Sequence, residues 1–210
     1  PAPYVDGEYT SIVKNWQTAR TRMAFLFPDT YAIGMSHLGL RILYEAVNQT
    51  KDFLLERCFT PMEDLRTLLK QTHTPLASLE SDRPLKDFDV LGFTLQYELS
   101  YTNILDMLDL AGLPLLAAER EETLPLVIAG GPCAYNPEPL ADFIDLFCIG
   151  ESESQLLQLL ELVAQAKTEG LSKQQLLQRA LAIPGVYVPR FYTQRYKANG
   201  NFAALEAAPF

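Results

Sequence analysis

Small polar residues and glycines follow several apolar runs in this sequence, and these are the residues with the clearest potential for ligand binding. They stand in four places: Asp29, Tyr31 and Gly34; Thr94 and Gln96; Gly130, Gly131 and Pro132; and Glu151. Hydroxyl, amide and carboxylate groups can hydrogen-bond a ligand, and glycine lets a ligand approach the backbone closely. The same residue types also suit ordinary turns between strands and helices, so the residues alone leave both interpretations open.

Other kinds of chemistry lack their characteristic residues. The two histidines, His37 and His73, have no second ligand at metal spacing, so we predict no metal site. Cys133 follows a glycine-rich loop without a recognisable base partner, so we predict no nucleophilic catalysis. Neither the dinucleotide motif GxGxxG nor the phosphate-binding motif GxxxxGK(S/T) occurs. We therefore assign no catalytic residue.

The composition is that of an acidic globular chain. Of its 210 residues 48% are hydrophobic, and the formal net charge is −9. Phosphate groups require a basic face, so we expect no nucleic-acid partner. No apolar run could span a bilayer and no signal peptide opens the chain, so we expect no membrane association. Three widely spaced cysteines form no disulfide framework, which indicates a cytoplasmic location.

An alternation of predicted strands and helices positions these residues. Short apolar runs predict five strands, at 22–27, 53–59, 88–95, 126–129 and 143–149. Periodicity and start signals predict helices from about 36 onwards and at 61–70, 100–110, 152–167 and 171–181. This order is typical of an α/β fold: a doubly wound, flavodoxin- or Rossmann-like five-stranded parallel sheet with helices on both faces. Ligands bind beyond the carboxyl ends of the strands in such sheets.

Three loop motifs occur in a recognisable order: Asp29-Thr30-Tyr31-Ala32-Ile33-Gly34, then Thr94, then Gly130-Gly131. With the later segment at 149–153, they resemble the N-terminal domain of the cobalamin-binding type of radical SAM proteins. That family carries D-x-H-x-x-G, a Ser or Thr, a GG and a closing iGEgE at the corresponding places. One of its subfamilies shares further segments, at 4–8, 28–36, 75–81, 92–103 and 130–139.

The resemblance implies strand order 2-1-3-4-5 and a cobalamin site at the carboxyl edge of the sheet. Tyr31 stands where the family has its cobalt-coordinating histidine, so binding would be histidine-off. The CxxxCxxC motif of a 4Fe–4S cluster is absent, so this cluster and S-adenosylmethionine are expected only in a radical SAM domain outside this chain. The implied site residues are Asp29, Tyr31, Gly34, Ser36, Thr94, Gln96, Gly130, Gly131, Pro132 and Glu151.

The expected organisation has three parts: an N-terminal arm at 1–20, the cobalamin-binding-like domain at 21–183, and an extension at 184–210. In the extension, residues 191–197 alternate apolar and polar and predict a strand, whereas the tail from 198 is expected to be irregular. The extension would lead to the radical SAM domain, which is the expected partner. Apolar residues exposed in its absence predict self-association of the chain.

Three functions remain open at this stage. The first is a cobalamin-carrying domain of a radical SAM enzyme, which predicts an open crevice between the loops at 29–37, 94–101 and 130–137. The second is a cofactor-free interaction or scaffold domain that docks on the radical SAM barrel or binds substrate. It predicts that Tyr31, Tyr97 and Tyr135 fill the crevice. The third is a flavodoxin-like binder of another nucleotide. The chain alone is not expected to be catalytic, whereas the full-length protein is expected to be a radical SAM enzyme.

Overall fold

The structure, a computed structural model, describes residue 8, residues 10–122 and residues 125–208. The predicted arm at 1–20 and the shared segment at 4–8 therefore lie partly outside the described residues. Residues 10–20 contain no helix or strand. Within the described part of the chain, no helix is both long enough and apolar enough to cross a bilayer.

The central sheet contains six strands: β1 (Thr21–Phe27), β2 (Phe53–Phe59), β3 (Val90–Thr94), β4 (Leu126–Gly130), β5 (Leu146–Cys148) and β6 (Val186–Tyr187). Their order is β2-β1-β3-β4-β5-β6, and the first five are parallel, which confirms the expected order 2-1-3-4-5. The predicted count of five strands is wrong, because β6 pairs antiparallel with β5. A strand edge without a partner exposes backbone hydrogen-bonding groups, and this short returning segment satisfies some of them.

Helices cover both faces of the sheet: α1 (Tyr31–Met35), α2 (Leu38–Asn48), α3 (Glu63–Thr72), α4 (Tyr101–Leu110), α5 (Glu153–Glu169) and α6 (Lys173–Ala180). Buried residues of α2, α5 and α6 belong to one core cluster, and those of α3 and α4 belong to another. Successive strand residues point to opposite faces, so Phe25 lies in the first cluster and Leu26 in the second. Helices on both faces of a mostly parallel sheet are thus confirmed.

The segment after β1 differs from the prediction of a single helix that begins near Ser36. It forms two helices, because Ser36 ends α1 and His37 caps the start of α2. Gly34 allows helix α1 to pack closely against β2. A Cβ atom on Gly34 would lie 2.3 Å from the Phe59 ring, too close for any other residue without a shift of that ring.

The last part of the chain forms a separate two-stranded sheet of β7 (Tyr192–Tyr196) and β8 (Phe202–Ala207). The predicted strand at 191–197 is confirmed, but the prediction of an irregular tail from 198 is wrong. The backbone groups of β7 require a partner strand, and the residues just after the turn provide it. Tyr196 and Phe202 also pack edge to face across the pair, with ring centroids 6.2 Å apart.

Candidate functional site

A crevice of 220 Å³ opens at the carboxyl edge of the sheet, where β3 and β4 end beside the starts of α2 and α5. Five of the residues singled out in the sequence line it: Thr94, Gln96, Gly130, Gly131 and Glu151. Apolar side chains from both strands and helices form much of the remaining wall: Met23, Phe25, Ile42, Leu43, Ile128 and Leu156. A mostly apolar cleft with a few polar groups at one end is the usual form of a small-molecule site.

The polar end of the crevice depends on the backbone at the end of β4. Gly131 has a φ of +104°, and a Cβ atom there would lie 2.9 Å from the Leu95 carbonyl oxygen. Only glycine fits this position without strain, so the backbone passes very close to β3. Thr94 is buried, and its hydroxyl accepts a hydrogen bond of 2.5 Å from the Gln96 side-chain amide. The crevice is thus lined by an ordered pair of polar side chains.

The other lining residues were not among the predicted site residues, and three of them, Gly92, Met23 and His37, show what sequence reasoning can miss. Gly92 lies in the middle of β3, and the space that its Cβ would fill is taken by the end of the Met23 side chain. A glycine inside an apolar strand is a sequence signal of close approach by another group. Met23 carried no such signal, because it reads as an ordinary core residue.

His37 is the third of these residues. Its Nδ1 accepts a hydrogen bond of 3.2 Å from the Leu40 backbone N–H, which caps α2, and its ring packs beside Phe27. An acceptor at Nδ1 places the proton of the neutral ring on Nε2. In the neutral ring, Nε2 of His37 is therefore a hydrogen-bond donor and carries no free lone pair.

A hydrogen bond joins two loops of this edge. The Tyr97 hydroxyl donates to Asp29 Oδ2 at 2.5 Å, and Asp29 Oδ1 accepts from the Thr30 backbone N–H. This hydrogen bond to a carboxylate raises the pKa of Tyr97, so the phenol stays protonated at neutral pH. Neither Asp29 nor Tyr97 lines the crevice.

Four other predicted site residues also lie outside the crevice lining. Tyr31 packs edge-on against Phe59, with ring centroids 5.5 Å apart, and Gly34 is buried under the same ring. The Ser36 hydroxyl donates to the Ile33 carbonyl oxygen at 2.7 Å, and Pro132 begins a short 3-10 turn. The structure thus brings together five of the ten predicted residues.

The polar groups that line the crevice are hydroxyl, amide, carboxyl, imidazole and backbone groups, which are suited to binding a ligand. Among the described residues, no group of three histidine, cysteine or acidic side chains could hold a metal ion. Cys58, Cys133 and Cys148 form no disulfide, and burial raises the pKa of the Cys148 thiol at the crevice to about 12. A thiol with this pKa is protonated at neutral pH and is a poor nucleophile.

Comparison with known proteins identifies the family. The family described as radical SAM proteins, N-terminal, matches residues 39–189. An uncharacterized protein of Methanocaldococcus jannaschii is 26% identical over 151 residues, which make up 71% of this chain and 28% of that protein.

Two structures of the radical S-adenosylmethionine methyltransferase TsrM from Kitasatospora setae are also similar. One contains tryptophan substrate and the analogue aza-SAM, with a TM-score of 0.48, 17% identity, and coverage of 86% of this chain and 29% of that one. The other contains cobalamin and a 4Fe–4S cluster, with a TM-score of 0.48, 17% identity, and coverage of 87% and 30%. The chain spans less than a third of the length of each of these proteins. Because the family match covers well over half of its residues, the chain belongs to the family of N-terminal domains of radical SAM proteins.

Proposed function

We propose that this chain is a cobalamin-binding-like domain of a radical SAM enzyme and that it holds the cofactor at the carboxyl edge of its sheet without a histidine ligand at position 31. The open crevice is the observation that carries the proposal. Thr94, Gln96 and Gly130 converge there with two further predicted residues. Tyr31, Tyr97 and Tyr135 do not line the crevice, and the Tyr135 side chain is 74% exposed.

The dimensions of the crevice fit one part of the cofactor. At 220 Å³ it is smaller than the 300–1,000 Å³ of ordinary ligand sites, so it suits the slender nucleotide tail and not the corrin ring. The Thr94 hydroxyl would hydrogen-bond the tail, and Gly130 would leave room for it. The corrin would lie on the exposed edge, where Ile33, Leu38 and Leu99 are 51%, 67% and 87% exposed. Bound cobalamin would supply a cobalt centre for methyl transfer or radical chemistry.

The remaining parts of the proposal concern the whole protein. Residues 21–183 would form the cofactor domain, and residues 184–210 would lead to the radical SAM domain that holds the 4Fe–4S cluster and S-adenosylmethionine. That domain would be the principal partner, and the exposed apolar edge would support self-association in its absence. The unpaired cysteines support a cytoplasmic location.

A cofactor-free scaffold domain is the second candidate. The hydrogen bond between Tyr97 and Asp29 favours it, because this bond already joins two loops of the edge without any ligand. His37 also supports it, since capping of α2 occupies the Nδ1 lone pair that a metal would need. In this case the exposed apolar edge would serve only for docking on the radical SAM domain.

Titration of the purified chain with hydroxocobalamin and with cobinamide, which lacks the nucleotide tail, tests the proposal. We expect saturable binding of both, followed by the visible spectrum and by calorimetry. The variant Ile42→Trp should narrow the crevice and weaken hydroxocobalamin binding about tenfold, with little effect on cobinamide. Leu68→Trp is the matched control, because Leu68 is 53% exposed on α3 and lines neither the crevice nor the proposed corrin edge.

The outcomes separate the two candidates. Absence of saturation by either corrinoid at about 1 mM would support the scaffold function. Equal weakening by Ile42→Trp and Leu68→Trp would show that the tail does not use the crevice. A Gly131 variant is unsuitable for this test, because the positive φ of Gly131 makes any substitution a folding defect.

A further inference from the structure

A second and larger cavity lies beside β2, on the other side of α1 from the crevice. Its volume is 420 Å³, which falls within the range of ordinary small-molecule sites. The carboxyl end of β2, helix α3 and the segment at 74–84 form its walls. Tyr31 and Ala32 line this cavity, whereas His37 and Gly39 line the crevice, so α1 and the following turn separate the two.

The walls are mainly apolar and partly aromatic. Phe59 and Tyr31 form an edge-to-face pair, and aliphatic side chains and prolines contribute most of the remaining surface: Met62, Leu65, Leu69, Leu76, Pro61 and Pro75. Five residues with hydroxyl groups accompany them: Thr30, Tyr31, Thr60, Thr74 and Ser78. Thr74 and Ser78 already hydrogen-bond Thr72 and Glu56, whereas the Thr60 hydroxyl has only a weak sulfur acceptor, Met107 Sδ at 3.4 Å. A ligand with an apolar body and few polar atoms matches such walls.

The charge of the lining restricts the ligand further. No lysine, arginine or histidine is among the residues that line the cavity, and Asp82 is the one carboxylate among them. Burial of an anion without a cationic partner costs several kcal/mol, so carboxylates and phosphates are disfavoured. A neutral or cationic group is compatible with Asp82, which lies at the exposed end of the lining.

We infer that this cavity binds a small molecule with an apolar, aromatic body and a neutral or cationic polar group. The inference does not depend on cobalamin binding, because the two cavities share no lining residue. The cavity adjoins the carboxyl end of β2, the same sheet edge at which the crevice opens. A molecule held there would lie next to the proposed cofactor edge, as a substrate of the full-length enzyme would.

Three probes that share one aromatic body test the inference: naphthylethylamine, naphthylethanol and naphthylacetate. Binding to the purified chain is followed by probe fluorescence and by chemical shift changes of the methyl groups of Met62, Leu65 and Leu69. We expect saturable binding of the cationic and neutral probes, and binding of the anionic probe about tenfold weaker.

Two variants locate the site. Ala32→Trp should fill the cavity and weaken binding of the two favoured probes about tenfold, whereas Ala203→Trp, the same change at an exposed position on β8, should not. Met62→Trp gives a second block if Ala32→Trp does not fold, as judged by circular dichroism. Asp82→Asn should reduce the preference for the amine over the alcohol about two- to fivefold. Asparagine tolerates the left-handed backbone of Asp82, whose φ is 52°.

The inference is overturned if none of the probes saturates, if the anionic probe binds best, or if the variants at 32 and 203 bind alike. Hydroxocobalamin titration of Ala32→Trp keeps the two proposals apart. Unchanged corrinoid binding together with lost probe binding would support this cavity as an independent site. Loss of both corrinoid binding and probe binding would mean that Ala32→Trp disturbs the fold, and it would contradict the inference.

Discussion

Two buried ionic clusters lie near opposite sides of the central sheet, one at the edge strand β2 and one beside β5, the strand next to the outermost strand β6, and they have opposite charge imbalance. We call these positions the β2 edge and the β5 edge. Beside the edge strand β2, one arginine, Arg57, faces the carboxylates of Glu80 and Glu8. Beside β5, one aspartate, Asp145, faces Arg120, Lys173 and Arg190. Both clusters lie away from the lining of the crevice, so neither is needed for the proposed binding site.

At the β2 edge, the cluster takes the place of a neighbouring strand. Glu80 accepts hydrogen bonds from the Arg57 backbone N–H at 2.7 Å and from Arg57 Nε at 2.6 Å, and the Leu79 N–H donates to the Arg57 carbonyl oxygen. The Tyr44 ring covers the guanidinium at 4.5 Å. Strand edges that lack such cover pair with other chains, so this loop protects the sheet.

At the β5 edge, the cluster joins distant segments of the chain. Asp145 Oδ2 accepts from the Val127 backbone N–H, and Arg120 donates to the carbonyl oxygens of Leu115 and Phe143. Lys173 Nζ lies 3.1 Å from Asp145 Oδ1, although neither atom has a well-aligned hydrogen bond in the described part of the chain. Burial lowers the pKa of Lys173 and of Arg120, and Asp145 opposes both effects.

The opposite charge balance of the two clusters predicts how each one responds when a charged side chain is removed. A carboxylate can take up a proton and a lysine can release one, but an arginine stays charged in proteins. Loss of the single anion at the β5 edge therefore leaves cations that cannot all be neutralised. Loss of the single cation at the β2 edge leaves carboxylates that can be protonated.

The largest expected effect is at Asp145. Asp145→Asn should lower the free energy of unfolding by about 3–5 kcal/mol, because it leaves the buried Arg120 without its carboxylate. Urea denaturation measures this change, and Asp142→Asn, an exposed aspartate nearby in sequence, should change it by less than about 0.5 kcal/mol. A small loss at position 145 would mean that the three cations are solvated, and the comparison between the two edges would fail.

A smaller, pH-dependent loss is expected at the other edge. Burial raises the pKa of Glu80 above its ordinary value and Arg57 opposes this rise, so Arg57→Met should raise it further. We expect a loss of about 3 kcal/mol at neutral pH. An acid with a raised pKa in the folded state favours folding at low pH, and this contribution is lost as pH rises through the raised pKa. The deficit of the variant should therefore shrink by about 1 kcal/mol near pH 5.

The same denaturation series at the two pH values tests this expectation. Arg41→Met removes an exposed arginine and serves as the control. The loss of unfolding free energy in Arg57→Met could instead be independent of pH. In that case protonation of Glu80 does not compensate for the missing arginine, and the explanation given for the contrast with the β5 edge is wrong.

The smallest effect is expected at Lys173. Since Arg120 and Arg190 remain near Asp145, Lys173→Met should change the free energy of unfolding by no more than about 1 kcal/mol, in the stabilising direction. The lowered pKa of Lys173 means that burial of its ammonium group costs free energy in the folded state. Methionine has no charge to bury, so the variant avoids this cost. A decrease of more than about 2 kcal/mol in the free energy of unfolding would show that Asp145 requires the charge of Lys173. The cluster at Asp145 would then have no excess of positive charge.

Most of the fold could be predicted from local patterns. Apolar runs marked all five parallel strands, and β2 was predicted with its observed bounds. The start of α6 is marked by a complete capping box between Ser172 and Gln175, which is also a local pattern. The failures were β6, which has only two residues, and β8, in which alanine and glutamate, residues that are depleted in strands, occupy four of the six positions. β6 pairs with β5, which is distant in the chain, so local periodicity carries no information about that partner. β8 pairs with the preceding strand β7, so its pairing is local and only its composition hid it.

The candidate site was predicted less completely. Residues at strand ends, such as Thr94 and Gly130, converged as expected, because parallel strands bring their carboxyl ends to one edge. Residues in the first loop did not, because that loop folds into α1 and directs Tyr31 to the neighbouring cavity. Met23 and His37 reached the crevice through packing and helix capping, which depend on contacts between elements rather than on sequence spacing.

By itself, the sequence determined the alternation of strands and helices, the parallel sheet and the edge at which the crevice opens. Each of these follows from periodicity and from turn residues, which act over a few neighbouring positions. The tertiary structure alone decided the sixth strand, the division of the edge into two cavities, and the charge partners of Arg57 and Asp145. These features join residues that are far apart in the chain, and burial sets their energies only after the core has formed.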